Sequence, residues 1–282
     1  MSIPTLKGIT AQEIQTERIK TRVLFSGAEH GVPVIFLHGN VSTATFWEET
    51  MLALPEGYRG IAPDQRGYGD AEIARKIDAT RGLGDLSDDV KALMDYLEYE
   101  SAHLVGHSAG GSVLWRFMMD YPAQCRSVTL VNPGSPHGFG GTKGLEGEPL
   151  SIDFAGSGAG TVNADFPKLL EKDDRSDGQG SPRWTMNTFY FKPPFVSERE
   201  EDLLSSMLAT HTGIQDYPGD HMTSATWPAV GPGNFGMVNA LSPKHLKSID
   251  HIYEIDPKPP ILWVRGVDDQ IVSDASMFDL AT

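Results

Sequence analysis

The sequence of 282 residues contains a single cysteine, Cys125, and no apolar run of about 18 residues. One cysteine cannot form an internal disulfide and offers no thiolate cluster to a metal, which agrees with a reducing compartment. Without a long apolar run, a membrane-spanning helix is not expected. The first residues also lack the basic and apolar regions of a secretory signal. We therefore expect a cytoplasmic protein that is not exported.

Basic residues are also in deficit, since 23 Lys and Arg stand against 38 Asp and Glu for a formal net charge of −15. A surface of this charge repels phosphate backbones and anionic lipids, so neither a nucleic acid nor a membrane is expected as a partner. We expect a small-molecule substrate, which this net charge does not disfavour. The chain is long enough to bury the core of one large domain, with 39% hydrophobic residues.

Short apolar segments alternate with helical patterns over the first 132 residues. Two edge strands are expected over 13–20 and 21–25, buried strands over 33–37 and 127–132, and short strands over 60–64 and 102–105. Helical spacing occurs over 42–52, over 88–99 behind a Ser87 cap, and again after residue 111. This α/β alternation predicts a doubly wound, mostly parallel sheet, in which functional groups gather where strands end. The side chains that fall there are those of His38, Asp64, Ser108 and Asn132.

The alternation stops between residues 133 and 259, a stretch rich in glycine, proline and aromatics that is too long for an ordinary loop. We interpret it as an inserted lid. A capping box at Ser197–Glu200 predicts that the lid is partly helical, with a helix reaching about Thr210. The sequence is thus divided into a first core part (1–132), the lid (133–259) and a second core part (260–282) that resumes the sheet with a strand over 261–266 and remains incomplete.

The pattern Gly106-His107-Ser108-Ala109-Gly110 follows a buried strand and opens a helix. A serine on so tight a strand-to-helix turn needs glycine two positions to either side, because a side chain there would collide with backbone. The turn exposes the hydroxyl, and the helix N-terminus favours a negative charge beside it. We interpret Ser108 as a nucleophile. The alternative is an incidental serine in a glycine-rich turn.

Together with His38-Gly39-Asn40, the loop over residues 64–69 and the segment Gly266–Val272, this pattern resembles the α/β-hydrolase superfamily of lid-bearing serine hydrolases, which use no cofactor. The resemblance implies Asp269 as the catalytic acid, with Asp268 as the alternative, and no metal. It also implies an oxyanion hole formed by the backbone N–H groups of Asn40 and Ala109. Epoxide hydrolases of the same fold carry an aspartate at the elbow, so Ser108 argues against their chemistry.

The superfamily order places a catalytic histidine after the acid, yet all nine histidines of this sequence precede Asp269. We expect the base to come from roughly 50 further residues, consistent with ordinary domain sizes. Truncation, cleavage near Thr282, or processing into two associated chains would each explain its absence. The expected partner is therefore a C-terminal fragment of the same protein, without which this chain should be nearly inactive. The less favoured source is His245 or His251 of the lid.

The aromatic side chains of the lid favour a largely apolar pocket for a small ester, lactone or amide. The residues proposed to contact substrate are His38, His107, His137, Trp184, Phe189 and Tyr190. The alternative is that the aromatics form the lid's own core and that His38 and His107 are structural, with His107 pointing away from the elbow. Three other functions stay open: an aminopeptidase, a carbon–carbon bond hydrolase, and a non-catalytic ligand-binding protein on the same scaffold.

Overall fold

The computed structural model describes residues 3–273, 276, 278 and 279, without the side chains of residues 247–250. Within this part, seven strands form the central sheet: β1 (Thr10–Gln15), β2 (Lys20–Gly27), β3 (Val32–Leu37), β4 (Tyr58–Pro63), β5 (Ala102–His107), β6 (Cys125–Val131) and β7 (Ile261–Val264). Their order across the sheet is β1-β2-β4-β3-β5-β6-β7.

The sheet is mostly parallel, as the alternation predicted. β3 pairs in parallel with β4 and β5, and the parallel pairing continues through β6 to β7. β2 pairs antiparallel with both β1 and β4. The expectation that β2 is an edge strand is therefore wrong, and its buried residues 21–26 show why, since they pack against neighbours on both sides. The turn before it is held by the Thr16 hydroxyl, which accepts the Ile19 N–H at 3.0 Å.

Alternate residues of the central strands pack on opposite faces of the sheet. In β3, Ile35 and Leu37 join the cluster beneath helices α2 (Gly84–Tyr96) and α3 (Ala109–Asp120), whereas Val34 and Phe36 join the cluster of α1 (Glu48–Leu52). Burial of a side chain of this size stabilises the fold by about 1.5–3 kcal/mol. The helices are α1 (Glu48–Leu52), α2 (Gly84–Tyr96), α3 (Ala109–Asp120), α4 (Phe166–Glu171), α5 (Pro182–Thr185), α6 (Glu200–Leu208) and α7 (Met237–Ala240).

Two predicted helix caps are wrong. Ser87 lies inside α2, and its hydroxyl bonds to the Asp120 carboxylate at 3.0 Å instead of capping the helix. Ser197 accepts the Arg199 N–H at 3.1 Å, so the helix begins only at Glu200. In both cases the serine hydroxyl bonds to a polar group that differs from the one expected of a helix cap.

Residues 133–259, called the insertion below, add no strand to the described central sheet. They contain α4–α7, a π-helix at Met186–Tyr190 and short strand pairs. The insertion builds its own apolar cluster, and Val41 of the loop after β3 belongs to it. It is also bonded to the sheet's loops, since the Thr43 N–H donates to Ser206 Oγ and the Gly69 N–H donates to the Ala209 carbonyl, both at 2.9 Å. The insertion therefore covers the ends of β3 and β4.

Strand β7 differs from the other parallel strands in its exposure. Its four apolar residues are 41–59% exposed, whereas parallel strands are ordinarily covered on both faces. Trp263 contacts Trp115 of α3 with ring centroids 5.1 Å apart, so that face is partly covered. Residues 274, 275, 277 and 280–282 lie outside the described part, as does the cleavage expected near Thr282. Within that part, no helix has both the length and the apolar character needed to cross a bilayer.

Candidate active site

The turn that carries Ser108 has the strained geometry predicted from its glycines. Ser108 has φ 52° and ψ −119°, outside the regions that non-glycine residues favour, at a cost of ~1–3 kcal/mol. A Cβ on Gly106 would lie 2.6 Å from the Gly110 carbonyl oxygen, and one on Gly110 would lie 2.4 Å from the Leu37 oxygen. Only glycine fits at either position. The Ser108 N–H donates to the Val131 carbonyl at 2.9 Å, which ties the turn to β6.

The Ser108 side chain stands at the N-terminus of α3. Its hydroxyl is half-buried and makes no hydrogen bond within the described residues, so it is available to a reacting partner. Ala109 is the first residue of α3, where an N–H has no acceptor inside the helix. This backbone donor lies next to the hydroxyl, as the resemblance implied.

The second expected donor, the Asn40 N–H, belongs to the peptide that joins Gly39 to Asn40. The carbonyl of that peptide accepts from His38 Nδ1 and from Ser42 Oγ, each at 2.9 Å. In a trans peptide the N–H points opposite to the carbonyl, so it points away from these two partners. A Cβ placed on Gly39 would lie 3.2 Å from Ser108 Cβ, so this loop passes directly beside the serine.

His38 connects the loops after β3 and β4. Its Nε2 accepts the Gln65 N–H at 2.9 Å, which requires the proton on Nδ1 and makes Nδ1 a donor to Gly39. Burial lowers the pKa of His38 to about 4, so the ring stays neutral. With both nitrogens used inside the protein, the geometry supports the structural role that was weighed against substrate binding.

The peptide after Asn40 is held by two tyrosines. Tyr190 of the insertion donates its hydroxyl to the carbonyls of Asn40 and Val41, at 3.0 and 3.2 Å. Tyr68 donates to Asn40 Oδ1 at 2.6 Å, and the Val41 N–H donates to the same oxygen at 3.1 Å. Tyr190 was predicted to contact substrate, and the structure places its hydroxyl on backbone. Tyr68 was missed, although its position between two glycines at a strand end was a signal.

The loop after β7 holds the expected acid. The Asn132 N–H donates to the Val264 carbonyl at 2.8 Å, and Asn132 Oδ1 accepts the Gly266 N–H at 2.9 Å, so β6 orients this loop. Asp269 Oδ1 accepts the N–H groups of Ile271 and Val272 at 2.9 and 3.0 Å. No hydrogen bond to its Oδ2 is found in the part of the chain described.

Asp268, the alternative acid, is more exposed than Asp269 and pairs with Lys192 of the insertion at 2.5 Å. Because Asp268 is already paired with Lys192, Asp269 is the better candidate for the catalytic acid. The loops after β5 and β7 leave the same edge of the sheet, and two strand spacings separate them by about 10 Å. An imidazole placed between the Ser108 hydroxyl and Asp269 Oδ2 would complete a relay across this gap.

None of the nine histidines, all within the described residues, donates to or accepts from Ser108 or Asp269. His107 lies within electrostatic reach of Asp269, and its ring is turned toward Gly39 instead of away from the site. Its Nδ1 would lie 3.0 Å from a Cβ on Gly39, and Asp269 is near enough to oppose the lowering of the His107 pKa by burial. His245 instead bonds the Gly233 carbonyl at 2.8 Å, and His251 pairs with Glu254 at 2.9 Å. No histidine of the described residues is therefore hydrogen-bonded to either proposed catalytic group.

The remaining predicted contacts lie in the insertion. The Trp184 and Phe189 rings meet edge to face at 5.4 Å, and Phe189 meets Phe278 in the same way at 5.0 Å. This aromatic row links the insertion to the segment after β7. His137 lies in a turn where its N–H donates to Ser135 Oγ at 3.1 Å, and it packs against Gly147. The described residues contain no group of three or more His, Cys, Asp or Glu placed to hold a metal.

Comparison with known proteins identifies the family and the fold of this chain. A family model described as the alpha/beta hydrolase fold matches residues 32–281. Epoxide hydrolase B of Mycobacterium tuberculosis is 31% identical over 208 residues, which are 73% of this chain and 52% of that protein. The 2-hydroxymuconate semialdehyde hydrolase of a Pseudomonas species is 32% identical over 149 residues, or 52% of this chain and 51% of that protein.

Among solved structures, a 2-hydroxy-6-oxo-6-phenylhexa-2,4-dienoate hydrolase of a Rhodococcus species shares the fold. Its TM-score is 0.60 at 16% identity, with 94% of this chain and 83% of that chain covered. The chain spans about half the length of the curated relatives it matches.

Proposed function

Because this chain belongs to the α/β-hydrolase fold family, we propose that it is a serine hydrolase in which Ser108 attacks the carbonyl carbon of a small, largely apolar ester, lactone or amide. The single observation that carries the proposal is the Ser108 hydroxyl, unbonded within the described residues, on a strained turn at a helix N-terminus. Epoxide opening is not proposed, although relatives carry that name, because the elbow residue is a serine.

In the proposed reaction the Ser108 oxygen bonds to the carbonyl carbon and its proton passes to a base. The carbonyl oxygen becomes an oxyanion beside the N–H groups of Asn40 and Ala109, which stabilise the tetrahedral intermediate. The intermediate collapses to an acyl-serine, and the proton goes to the leaving group. Water then attacks the acyl-serine by the reverse proton transfers, releasing the acid. The residues of this chain need no cofactor for these steps.

We further propose that the base is a histidine supplied by a segment other than the described residues, which packs against β7. The exposure of β7 supports this, because a covering segment would bury the apolar residues of a parallel strand in the ordinary way. It would also arrive beside the loop of Asp269. The free Oδ2 of that carboxylate would orient the imidazole, and the insertion would act as the lid of the site.

A carbon–carbon bond hydrolase is the second candidate, and the likeness to the 2-hydroxymuconate semialdehyde hydrolase favours it. Assays of the complete protein separate the two, using p-nitrophenyl butyrate, a p-nitroanilide and 2-hydroxy-6-oxo-6-phenylhexa-2,4-dienoate. We expect the ester to be cleaved and Ser108→Ala to lose about 10⁴-fold or more in kcat. Cleavage of the dienoate alone would favour the second candidate. Cleavage of none of the three, or full activity of Ser108→Ala, would contradict the assignment.

A further inference from the structure

The oxyanion loop, defined as residues 39–41, is anchored by side chains that the proposed reaction does not use. Val41 has φ 48°, a backbone conformation that is strained for a β-branched residue, and its side chain is buried in the cluster of the insertion. Strain of this kind persists only when neighbours hold it in place. The neighbours here are the hydroxyls of Tyr190 and Tyr68.

Each end of the peptide between Asn40 and Val41 is bonded. Its carbonyl accepts from the Tyr190 hydroxyl at 3.0 Å, and its N–H donates to Asn40 Oδ1 at 3.1 Å. That Oδ1 is in turn held by Tyr68 at 2.6 Å. The peptide before it is fixed through the Gly39 carbonyl by His38 and Ser42. The Asn40 N–H belongs to this fixed Gly39–Asn40 peptide, and the peptide that follows it is held as well.

Resting on the proposed function, we propose that Tyr190 and Tyr68 are positioning residues that hold the Asn40 N–H in place for the oxyanion, so that docking of the insertion assembles half of the oxyanion hole. Tyr190 acts from the insertion on the backbone, and Tyr68 acts from the loop after β4 on the side chain. The two hydroxyls thereby join the elements on either side of the loop.

The chemistry of the hydroxyls suits this role. Burial raises the pKa of both Tyr68 and Tyr190, so each remains a protonated donor over the working range of pH. Val41 and Tyr190 pack within the cluster that also contains Met186 and Tyr217. Separation of the insertion from the loop would remove the Tyr190 bonds and the packing of Val41 together.

The test uses the complete protein, with p-nitrophenyl butyrate as substrate and a fluorophosphonate as the probe of Ser108. Tyr190→Phe should lower kcat about 10-fold while KM changes less than about twofold, because a misplaced oxyanion donor affects the transition state selectively. The control is Tyr217→Phe, which removes from a buried residue of the same cluster a hydroxyl that makes no hydrogen bond within the described residues. It should leave kcat within about twofold.

A double-mutant cycle tests Tyr68. If Tyr68 acts through Asn40 Oδ1, then Tyr68→Phe should lower kcat in the wild-type background and have no further effect in Asn40→Ala. Amide hydrogen exchange of residues 39–43 supplies a readout independent of activity. Exchange should be faster in Tyr190→Phe than in Tyr217→Phe.

Three results would overturn the proposal: a kcat loss in Tyr190→Phe no larger than in Tyr217→Phe, a rise in KM alone, or additive effects of Tyr68→Phe and Asn40→Ala. A rise in KM alone would assign Tyr190 to substrate binding. If Tyr190→Phe does not fold, the double-mutant cycle of Tyr68→Phe and Asn40→Ala alone tests the proposal. A wild-type protein that neither cleaves the ester nor reacts with the probe would contradict the proposed function, whereas an active wild-type protein with unaffected variants would contradict only the positioning role.

Discussion

The loop after β3 and the loop after β7 carry opposite halves of the candidate site, and they are built differently. The first is buried, is bonded on each peptide and is packed against the insertion, whereas the second follows a strand whose apolar residues are 41–59% exposed. The difference teaches that the geometry of the oxyanion half is intrinsic to the described residues. The acid half is oriented by Asn132 after β6, and under the proposed function a segment that covers β7 would complete it.

The largest expected effect is a loss of stability caused by a substitution beside the buried loop after β3. The Asp64 side chain is fully buried and accepts Arg22 at 2.9 and 3.1 Å, together with the Ala44 N–H at 3.0 Å. Asp64→Asn removes the buried partner of the guanidinium and leaves only the exposed Asp70 at 3.8 Å, so it should lower the free energy of unfolding by about 3–5 kcal/mol. Asp268→Asn, which removes the exposed pair with Lys192, should cost less than about 1 kcal/mol. Urea unfolding measures the stability of both variants. Equal losses of stability would contradict the difference between the buried and the exposed half of the site.

The second effect is a pH dependence. Burial lowers the pKa of His38 from its ordinary value of 6.5 to about 4 in the folded protein, so the unfolded state takes up the proton first as pH falls. The stability due to neutral His38 is present above pH 6.5 and is lost as pH falls from there through about 4, a total of about 3 kcal/mol. His38→Asn should flatten this part of the urea-midpoint curve. The control His251→Asn, on the surface, should not, and an equal flattening would contradict the assignment.

The third effect probes the exposed half. If a segment covers β7 in the complete protein, Leu262→Lys should destabilise that protein by about 1–3 kcal/mol, because a charge would be buried in an apolar contact. Leu145→Lys is the matched control, since Leu145 is 94% exposed in the insertion and should shift stability by less than about 0.5 kcal/mol. Thermal unfolding of the two variants makes the comparison. Equal, small shifts would show that β7 remains uncovered.

Local patterns predicted what depends on local backbone. The glycines around Ser108 predicted its tight strand-to-helix turn, and continuous apolar runs predicted the buried parallel strands. The patterns failed where a side chain found a partner elsewhere, as Ser87 does at Asp120, 33 residues away. The hydrogen bonds to Asn40 could not be predicted for the same reason. Their donors, Tyr68 and Tyr190, lie 28 and 150 residues away from Asn40 in the sequence. No periodicity encodes such contacts.

Motif position alone indicated a candidate acid, whereas the charged surroundings of that acid could not be predicted from the sequence. The glycine of the segment over 266–272 indicated Asp269, but nothing in the sequence showed that Lys192 would engage Asp268 instead. His107 illustrates the same limit. Its place before the serine suggested that it points away, whereas the fold sets its ring beside Gly39 and within electrostatic reach of Asp269.

The most direct measurement is mass spectrometry of the complete protein after reaction with a fluorophosphonate. The account predicts one adduct, located by peptide mapping on Ser108, that is absent in Ser108→Ala and is formed more slowly in Asp269→Asn. A protein that cleaves the ester while its adduct lies on another residue, or that cleaves it without forming any adduct, would contradict the claim that Ser108 is the nucleophile.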